Sequence, residues 1–270
     1  RRFKSYPRNQ ITMNSKRIFN EIDEVKEVEH YNQYSKKKLL RDIYPPSSYC
    51  RRSIIRKAFS KFPFRTRKFN TILDIGCGNG ANAKYLLGHY KKYIGVDISP
   101  GMVKLAKLFN KENKEAEFYV SRIQDFNIPD YNEVDLVLFD GALHHIENPS
   151  EVFKILKEKI NIGTYFIARE PQNTNFLIQL LRKLRMKIDK SYSSQQVFFS
   201  ENELRSILKD AGINNFKFRY QDYLITPISQ VILKPQFIFM PLAILIILME
   251  SFVDIILIGK LRKLSWNIVI

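Results

Sequence analysis

Cysteine and histidine are scarce in this sequence, whose 270 residues include two cysteines and four histidines. Cys50 and Cys77 alone cannot build the disulfide framework of a small secreted domain. The few cysteines and histidines also lack the spacing of a zinc site, so we predict no bound metal. No apolar run follows the basic residues near the start, which predicts no secretory signal and favours a cytoplasmic protein.

Acidic residues are outnumbered, with 27 Asp and Glu against 44 Lys and Arg and a formal net charge of +17. Residues 1–70 hold 19 of the basic and 6 of the acidic side chains. We interpret residues 1–20 as a basic flexible arm and residues 21–69 as a helical N-terminal cap. The charge is typical of a protein that meets an anionic membrane surface or, as a less favoured partner, nucleic acid. A solvated basic face explains it equally well.

Apolar runs and helical segments alternate through the middle of the chain. This alternation predicts an α/β fold with a Rossmann-like, doubly wound and mostly parallel sheet. Strands are predicted at 71–75, 93–98, 116–120, 134–139, 164–168 and 216–225. Helices are predicted at 21–41, 53–62, 81–90, 100–113, 149–160, 175–188 and 200–212, with a break at 45–48 and a capping box at Ser200 and Glu203.

A glycine-rich segment, Asp74-Ile-Gly-Cys-Gly-Asn-Gly80, follows the first predicted strand of the sheet and precedes a helix. Glycines let the backbone turn sharply and approach a ligand, and the helix directs its free N–H groups to the same place. Asp97 stands 23 positions after Asp74, a separation that suits a carboxylate binding ribose hydroxyls. Together these features predict an adenosine-containing ligand.

Asp74 discriminates between two adenosine cofactors. In a dinucleotide site the loop receives a pyrophosphate, which a neighbouring carboxylate would repel. S-adenosyl-L-methionine instead carries a positive sulfonium and an ammonium group, which a carboxylate attracts. The acid two residues before Gly76 therefore favours S-adenosyl-L-methionine over NAD.

Four segments together resemble the class I, Rossmann-like S-adenosylmethionine-dependent methyltransferases of the small-molecule and lipid-modifying type: 73–80, 96–99, 135–146 and 199–212. The resemblance covers about residues 70–225. It implies a seven-stranded sheet with an antiparallel last strand, for which 265–270 is the candidate. It also implies cofactor contacts at Asp74, Gly76, Cys77, Gly78, Asp97, Ile98, Arg122, Ile123 and Asp140.

By this resemblance, the backbone around Gly76 and Gly78 holds the methionine part of the cofactor, Asp97 the ribose and segment 121–123 the adenine. The family usually has an acid near Arg122 that accepts a hydrogen bond from the adenine amino group. Because Arg122 is basic, Asp125 is an alternative for this contact. The same departure keeps a noncatalytic, membrane-associated protein with a methyltransferase fold among the alternatives.

His144, His145 and Glu170 are the candidate catalytic residues, because each follows or ends a predicted strand. Either histidine can take a proton from an acceptor hydroxyl if its pKa is near neutral. Glu170 is an alternative base or orienting group. Each also has a structural interpretation, since methyl transfer to a good nucleophile needs mainly alignment and desolvation.

The longest apolar segment, residues 237–258, contains Glu250 and Asp254 one helical turn apart. A membrane-spanning helix needs about 20 apolar residues, and each carboxylate near its middle costs roughly 3 kcal/mol. A lid helix or an interfacial helix is therefore favoured over a span. Trp266 and the basic residues just beyond the segment are typical of an interfacial flank.

We assign residues 70–234 to the methyltransferase core with a cap insertion at 171–199, and residues 235–270 to the apolar helix and the last strand. The acceptor is expected above the carboxyl ends of the strands, capped by 21–49 and 171–199. Candidate pocket residues are Tyr31, Tyr34 and Tyr192. The apolar tail and basic surface predict an amphiphilic or lipid-like acceptor and a peripheral membrane association. An RNA or protein methyltransferase is the alternative, although no Asn-Pro-Pro-Tyr-like motif is present.

Overall fold

One sheet of seven strands forms the centre of the computed structural model, which describes residues 24–60, 68–127, 131–190, 198–232 and 234–270. The predicted basic arm, residues 1–20, lies outside the described residues. The strands are β1 (Phe69–Ile75), β2 (Tyr90–Asp97), β3 (Ala116–Val120), β4 (Val134–Asp140), β5 (Tyr165–Pro171), β6 (Arg219–Gln221) and β7 (Asn267–Val269).

The strand order is β3-β2-β1-β4-β5-β7-β6. Strands β1 to β5 pair in parallel, whereas β7 lies between β5 and β6 and runs antiparallel to both. The predicted fold class, including the antiparallel last strand, is therefore confirmed. The order of the strands reverses between β1 and β4, and in such sheets a ligand crevice opens at this point, beyond the carboxyl ends of the strands.

Helices cover both faces of the sheet. The capping box predicted at Ser200 and Glu203 is present at the start of α7 and satisfies two of its backbone N–H groups. The helices are α1 (Glu24–Ile43), α2 (Pro45–Ser60), α3 (Ala81–Tyr85), α4 (Pro100–Phe109), α5 (Pro149–Lys159), α6 (Phe176–Ile188), α7 (Glu201–Asp210), α8 (Ile225–Ser229) and α9 (Gln236–Ile256).

Among the elements whose bounds differ from the prediction, three have a clear structural cause. Pro45 begins α2 instead of breaking a helix, because proline's fixed φ and missing N–H are tolerated in a first turn. Helix α3 is short because Gly88, with φ +89°, turns the chain into β2. Strand β6 is short because Asp222 has φ +69°, a left-handed conformation that cannot continue a strand.

Large apolar side chains fill the space on each side of the sheet, because successive strand residues point to opposite faces. Leu73 and Val137 pack with side chains of α5 and α7 in one layer. Ile72 and Leu136 pack with side chains of α2, α3 and α4 in the other. These two layers fix the strand ends that carry the polar residues described below.

Helix α9 is the one described helix that is long and apolar enough to cross a membrane, a weak indication that rests on length and composition alone. Of its side chains, those of Ala243 and Glu250 are buried. Glu250 accepts hydrogen bonds from Lys57 of α2 at 3.0 Å and from the backbone N–H groups of 223–225 at 2.7–3.3 Å. A buried carboxylate is compensated by these donors, so Glu250 fastens α9 to α2 and to the start of α8.

Candidate active site

A cavity of about 690 Å³ opens at the carboxyl ends of β1, β2, β4 and β5. The loop after β1 and the ends of the other strands contribute to its lining, together with side chains of α1, α6 and α8. Pockets for small ligands usually measure roughly 300–1,000 Å³. The cavity therefore has room for a cofactor and for the reacting part of a second molecule.

The loop after β1 takes a conformation that glycine adopts readily. Gly76 has φ +70° and Gly78 has φ +56°, and a Cβ atom on Gly76 would lie 2.6 Å from the Cβ of Ala142. The N–H groups of Gly76 and Cys77 donate to the carbonyl of Val96, which fastens the loop to β2. Because side chains are lacking at the glycines, a ligand can approach the loop backbone closely.

Asp97, at the end of β2, is fixed by two backbone groups. Its Oδ2 accepts the N–H of Gly78 at 2.8 Å, and its Oδ1 accepts the N–H of Ser99 at 2.9 Å. Burial raises the pKa of Asp97, although these two hydrogen bonds lower it. The side chain lines the cavity beside Ile98, and its remaining lone pairs can accept the two hydroxyls of a ribose.

Asp74 is placed differently from the expectation. It is fully buried and outside the lining of the cavity, where it accepts a hydrogen bond from the Tyr93 hydroxyl and contacts the Asn82 amide of α3. Burial raises the pKa of Asp74 to about 8. Its carboxyl is therefore mostly protonated at neutral pH and is not the countercharge that the sequence argument placed beside a sulfonium.

Asp140, at the end of β4, is a carboxylate that does line the cavity. Its Oδ1 accepts the Nε–H of Arg169 at 2.5 Å, and its Oδ2 accepts the Asn82 amide at 3.2 Å. Burial by itself raises the pKa of Asp140, but the Arg169 guanidinium outweighs it and the pKa is lowered. An ionised Asp140 supplies negative charge to the cavity, which suits the cationic groups of S-adenosyl-L-methionine.

Of the segment predicted to contact adenine after β3, residues 121–123, two side chains line the cavity and one does not. Ser121, Ile123 and Gln124 line the cavity, and Ile123 is buried. Arg122 and Asp125 are both absent from the described lining, and Asp125 is exposed. The apolar surface of Ile123 and the amide of Gln124 are groups that can bind a purine. Gln124, which lines the cavity, was not among the residues predicted from the sequence.

Glu170, at the end of β5, is fully buried and outside the lining of the cavity. Its Oε1 accepts the N–H groups of Ala142 and Leu143 at 3.0 and 2.9 Å, and its Oε2 lies 2.7 Å from Nδ1 of His144. Burial raises the pKa of Glu170 to about 8. Glu170 therefore orients His144 and the turn that carries it and does not itself meet an acceptor.

His144 lines the cavity. Burial, with the charge of Arg182, lowers its pKa to about 3, so its ring is neutral at pH 7. Glu170 holds Nδ1, and among the described residues Nε2 has no hydrogen-bond partner. When Glu170 is ionised, Nδ1–H donates to it and Nε2 carries a lone pair. His144 is thus placed to accept a proton.

His145 also lines the cavity, but both its ring nitrogens face α1. Nε2 lies 2.6 Å from the hydroxyl of Tyr31, and Nδ1 lies 2.9 Å from Oε2 of Glu27. Burial lowers the pKa of His145 to about 4. Asn32, the residue after Tyr31 in α1, accepts the hydroxyl of Ser99 at its Oδ1, at 2.8 Å. His145 therefore helps to hold α1 beside the loop that contains Asp97 and Ser99.

The three tyrosines predicted to line the acceptor pocket have different outcomes. Tyr31 lines the cavity, Tyr34 is absent from the described lining, and Tyr192 lies outside the described residues.

A group of basic side chains in the cavity was not predicted from the sequence. Helices α1, α2 and α6 and strand β5 bring these side chains together although they are distant in the chain. The surplus of positive charge in residues 1–70 was the sequence signal for the three members from α1 and α2. This group consists of Lys38, Arg41, Arg51, Arg169, Arg182 and Arg185.

Known proteins resemble the part of the chain that carries this site. The profile of a family described as methyltransferase domain matches residues 73–168. A ubiquinone biosynthesis O-methyltransferase of Bordetella avium is 21% identical over 165 residues, which cover 59% of this chain and 68% of that protein. An uncharacterized chloroplastic methyltransferase of Arabidopsis thaliana is 29% identical over 160 residues, which cover 54% of this chain and 43% of that protein.

Solved structures share the fold. A methyltransferase of Thermotoga maritima, described as a possible histamine N-methyltransferase, superposes with a TM-score of 0.55 at 19% identity, covering 73% of this chain and 85% of that one. A methyltransferase of Aquifex aeolicus superposes with a TM-score of 0.51 at 21% identity, covering 72% and 92%. With the methyltransferase domain matched at residues 73–168, these findings confirm the predicted enzyme class and cofactor: the chain carries a methyltransferase domain with the Rossmann-like fold of S-adenosylmethionine-dependent methyltransferases.

Proposed function

We propose that this methyltransferase acts on a small amphiphilic acceptor that reaches the enzyme from a lipid surface. The observation that carries the proposal is the lining of the cavity beyond the cofactor loop. Leu181 and Leu184 of α6, and Val231 after α8, line the cavity and are also between 43% and 47% exposed. An apolar chain can therefore leave the cavity over apolar side chains instead of entering water.

The apolar surface extends beyond these three residues. Helix α6 also exposes Phe176, Leu177 and Leu180, and α9 exposes most of its large side chains. The side-chain amide of Asn175 donates to the carbonyl of Leu264, which brings the start of α6 to the segment that follows α9. Scattered exposed apolar residues are ordinary, but such a density on neighbouring helices favours an interaction surface.

Positive charge accompanies this surface, because Lys260, Arg262 and Lys263 follow α9 directly and are exposed. Apolar side chains flanked by basic ones favour binding to a bilayer that contains anionic lipids. With Glu250 and Lys57 paired on the opposite side of α9, the helix is expected to lie on the membrane and not to span it. The proposed location is peripheral, on the cytoplasmic side.

The residues of this chain divide the chemical work. The loop at Gly76 and Gly78, with Asp97 and Asp140, would hold the cofactor, which supplies a methyl group on a cationic sulfur and leaves as S-adenosylhomocysteine. When bound, this cofactor would supply the methyl group to the acceptor's nucleophilic atom, and its sulfur would keep the electron pair of the former carbon–sulfur bond. His144 takes the proton of the acceptor at Nε2, and Glu170 orients the imidazole through Nδ1.

A direct experiment compares acceptors at constant S-adenosylmethionine. The purified protein is incubated with labelled cofactor and with phenols, acids or quinols that carry alkyl chains of increasing length, and with transfer RNA and peptide pools. We expect kcat/KM to rise with chain length until the rim of α6 is covered. Methylation of RNA or peptides, without transfer to any chain-bearing acceptor, would refute the proposal.

A further inference from the structure

Two guanidinium groups meet in the cavity on the amide of Gln230. Nη1 of Arg41 donates to Oε1 of Gln230 at 2.9 Å, and Nη2 of Arg185 approaches the same oxygen at 3.4 Å. All three side chains line the cavity. Two cations that share one neutral acceptor repel each other, which favours the binding of an anion between or beside them.

Within the part of the chain that the structure describes, Arg41 forms no ion pair with a carboxylate, although its side chain is buried and only 8% exposed. Its Nε has no hydrogen-bond partner among the described residues. The neighbouring acid, Asp42, is occupied by other donors, since Arg51, Tyr85 and the Asn79 amide all bind its oxygens. Burial of a cation is costly when no anion compensates it. The residual charge of Arg41 is therefore available to a ligand.

Lys38 adds a third positive group to this region. Its Nζ lies 4.0 Å from the centre of the Tyr31 ring, and in the described parts of the chain it forms no ion pair. Burial, together with the charges of Arg41 and Arg51, lowers the pKa of Lys38 to about 7. An anion beside Lys38 would offset both effects and keep the amine protonated.

The cofactor's own carboxylate is a competing occupant. It belongs to the methionine end, which the loop at Gly76 holds. Arg51 is connected to that loop, because Asp42 binds both Arg51 and the amide of Asn79. Arg41 and Arg185 are instead joined to Gln230, which follows α8 and precedes the exposed Val231. Arg41 and Arg185 therefore lie near the exposed apolar residues that line the cavity, since Gln230 precedes Val231 and Arg185 follows Leu184.

We propose that the acceptor carries a carboxylate or phosphate group, which Lys38, Arg41 and Arg185 bind while the acceptor's apolar chain lies along Leu181, Leu184 and Val231. This inference rests on the proposed function, because it assigns the head group of the same acceptor. Arg41 and Arg185 offer N–H groups with the fork geometry that matches both anions. Arg185 is partly neutralised by Asp189 at 3.4 Å, so Arg41 and Lys38 contribute most of the excess charge.

The test uses octyl phosphate as the probe. Full-length protein saturated with S-adenosylhomocysteine is titrated calorimetrically with octyl phosphate, inorganic phosphate and octyl glucoside. We expect octyl phosphate to bind at least about tenfold more tightly than inorganic phosphate, which lacks the alkyl chain, and than octyl glucoside, which lacks the charge. The charge and the burial of the alkyl chain should each contribute more than about 1.4 kcal/mol. Preference for inorganic phosphate over octyl phosphate would overturn the assignment of an amphiphilic anion.

Matched variants locate the binding groups. R41Q and R185Q are expected to weaken octyl phosphate binding by about tenfold or more, whereas R52Q, which removes the same charge from an exposed position of α2, leaves it unchanged. Circular dichroism confirms that each variant is folded, and R41K, which keeps the charge, is expected to recover part of the affinity. Equal affinity of wild type, R41Q and R185Q would overturn the inference.

S-adenosylhomocysteine affinity separates the two possible failures. R41Q and R185Q are expected to bind it within about threefold of wild type, which is less than 1 kcal/mol. A loss of S-adenosylhomocysteine affinity in R41Q, with octyl phosphate binding intact, would assign the group to the cofactor's carboxylate and overturn the inference alone. Failure of the wild-type protein to bind S-adenosylhomocysteine at all would overturn the proposed function as well.

Discussion

Replacement of Glu250 by glutamine tests how α9 is attached to the core. Glu250 is 2% exposed. One carboxylate oxygen accepts the N–H of Tyr223 at 2.9 Å and Lys57 Nζ at 3.0 Å, and the other accepts the N–H groups of Leu224 and Ile225 at 2.7 and 3.3 Å. Glutamine has one acceptor oxygen. In either orientation its amide N–H₂ faces a backbone donor.

The magnitude follows from the donors that lose an acceptor. A buried N–H group left without a partner costs about 1–3 kcal/mol. Lys57 also loses its closest counterion, although Asp254, with Oδ1 at 3.7 Å, stays nearby and limits that loss. We therefore expect E250Q to lower the free energy of unfolding by about 3 kcal/mol.

Urea denaturation measures the change, followed by circular dichroism and by the fluorescence of Trp266, the single tryptophan. D254N is the matched control on the same helix. Because Asp254 is partly exposed and farther from Lys57, D254N is expected to cost less than about 1 kcal/mol. If E250Q changes the free energy of unfolding by less than about 0.5 kcal/mol, α9 is not held by Glu250 and the reasoning fails.

Three further predictions concern the cofactor, the base and the membrane. D97N should weaken S-adenosylhomocysteine binding by about 10- to 100-fold in calorimetry, because one acceptor oxygen must then serve two N–H groups and the ribose; less than a threefold loss would contradict this. The kcat of wild type should rise as pH passes through about 8, because Glu170 then loses its proton, accepts Nδ1–H of His144 and leaves Nε2 as a base. In E170Q the rise should vanish and kcat should fall with KM unchanged, and a preserved rise would exclude this pair as its source. I255S in the exposed face of α9 should reduce sedimentation with anionic vesicles, and I162S, at a still more exposed position between α5 and β5, should not; equal sedimentation of both would count against α9 as the membrane face.

The alternation of apolar runs and the glycine-rich loop predicted the fold class and an adenosine-containing cofactor without any three-dimensional information. Both are local properties of the backbone. A buried strand followed by Gly76 and Gly78 can form few structures other than a tight turn into a helix. Asp97 was found for the same reason, since the end of the second strand of a parallel sheet lies beside the end of the first.

Side-chain direction was not determined by the sequence, as Asp74 illustrates. It belongs to the same motif as Gly76, yet it points away from the cavity to Tyr93 and Asn82, and Asp140 supplies the charge instead. A shift of one residue along a strand moves a side chain to the opposite face of the sheet. The sequence predicted the length and the alternation of the strand, but it did not predict which carboxylate remains ionised.

Only the tertiary structure decided the partners of the buried charges. Glu170, at the end of β5, meets His144 in the turn after β4, Glu250 meets Lys57 across 193 positions, and Arg41 meets Gln230 across 189. Each contact depends on how the helices pack on the sheet. Burial removes water from a charged group, so the group needs a protein partner, which packing brings from a distant part of the chain. The sequence thus determined the cofactor's cradle through local backbone geometry, whereas the acceptor's pocket exists only where distant, individually unremarkable basic and apolar residues are brought together.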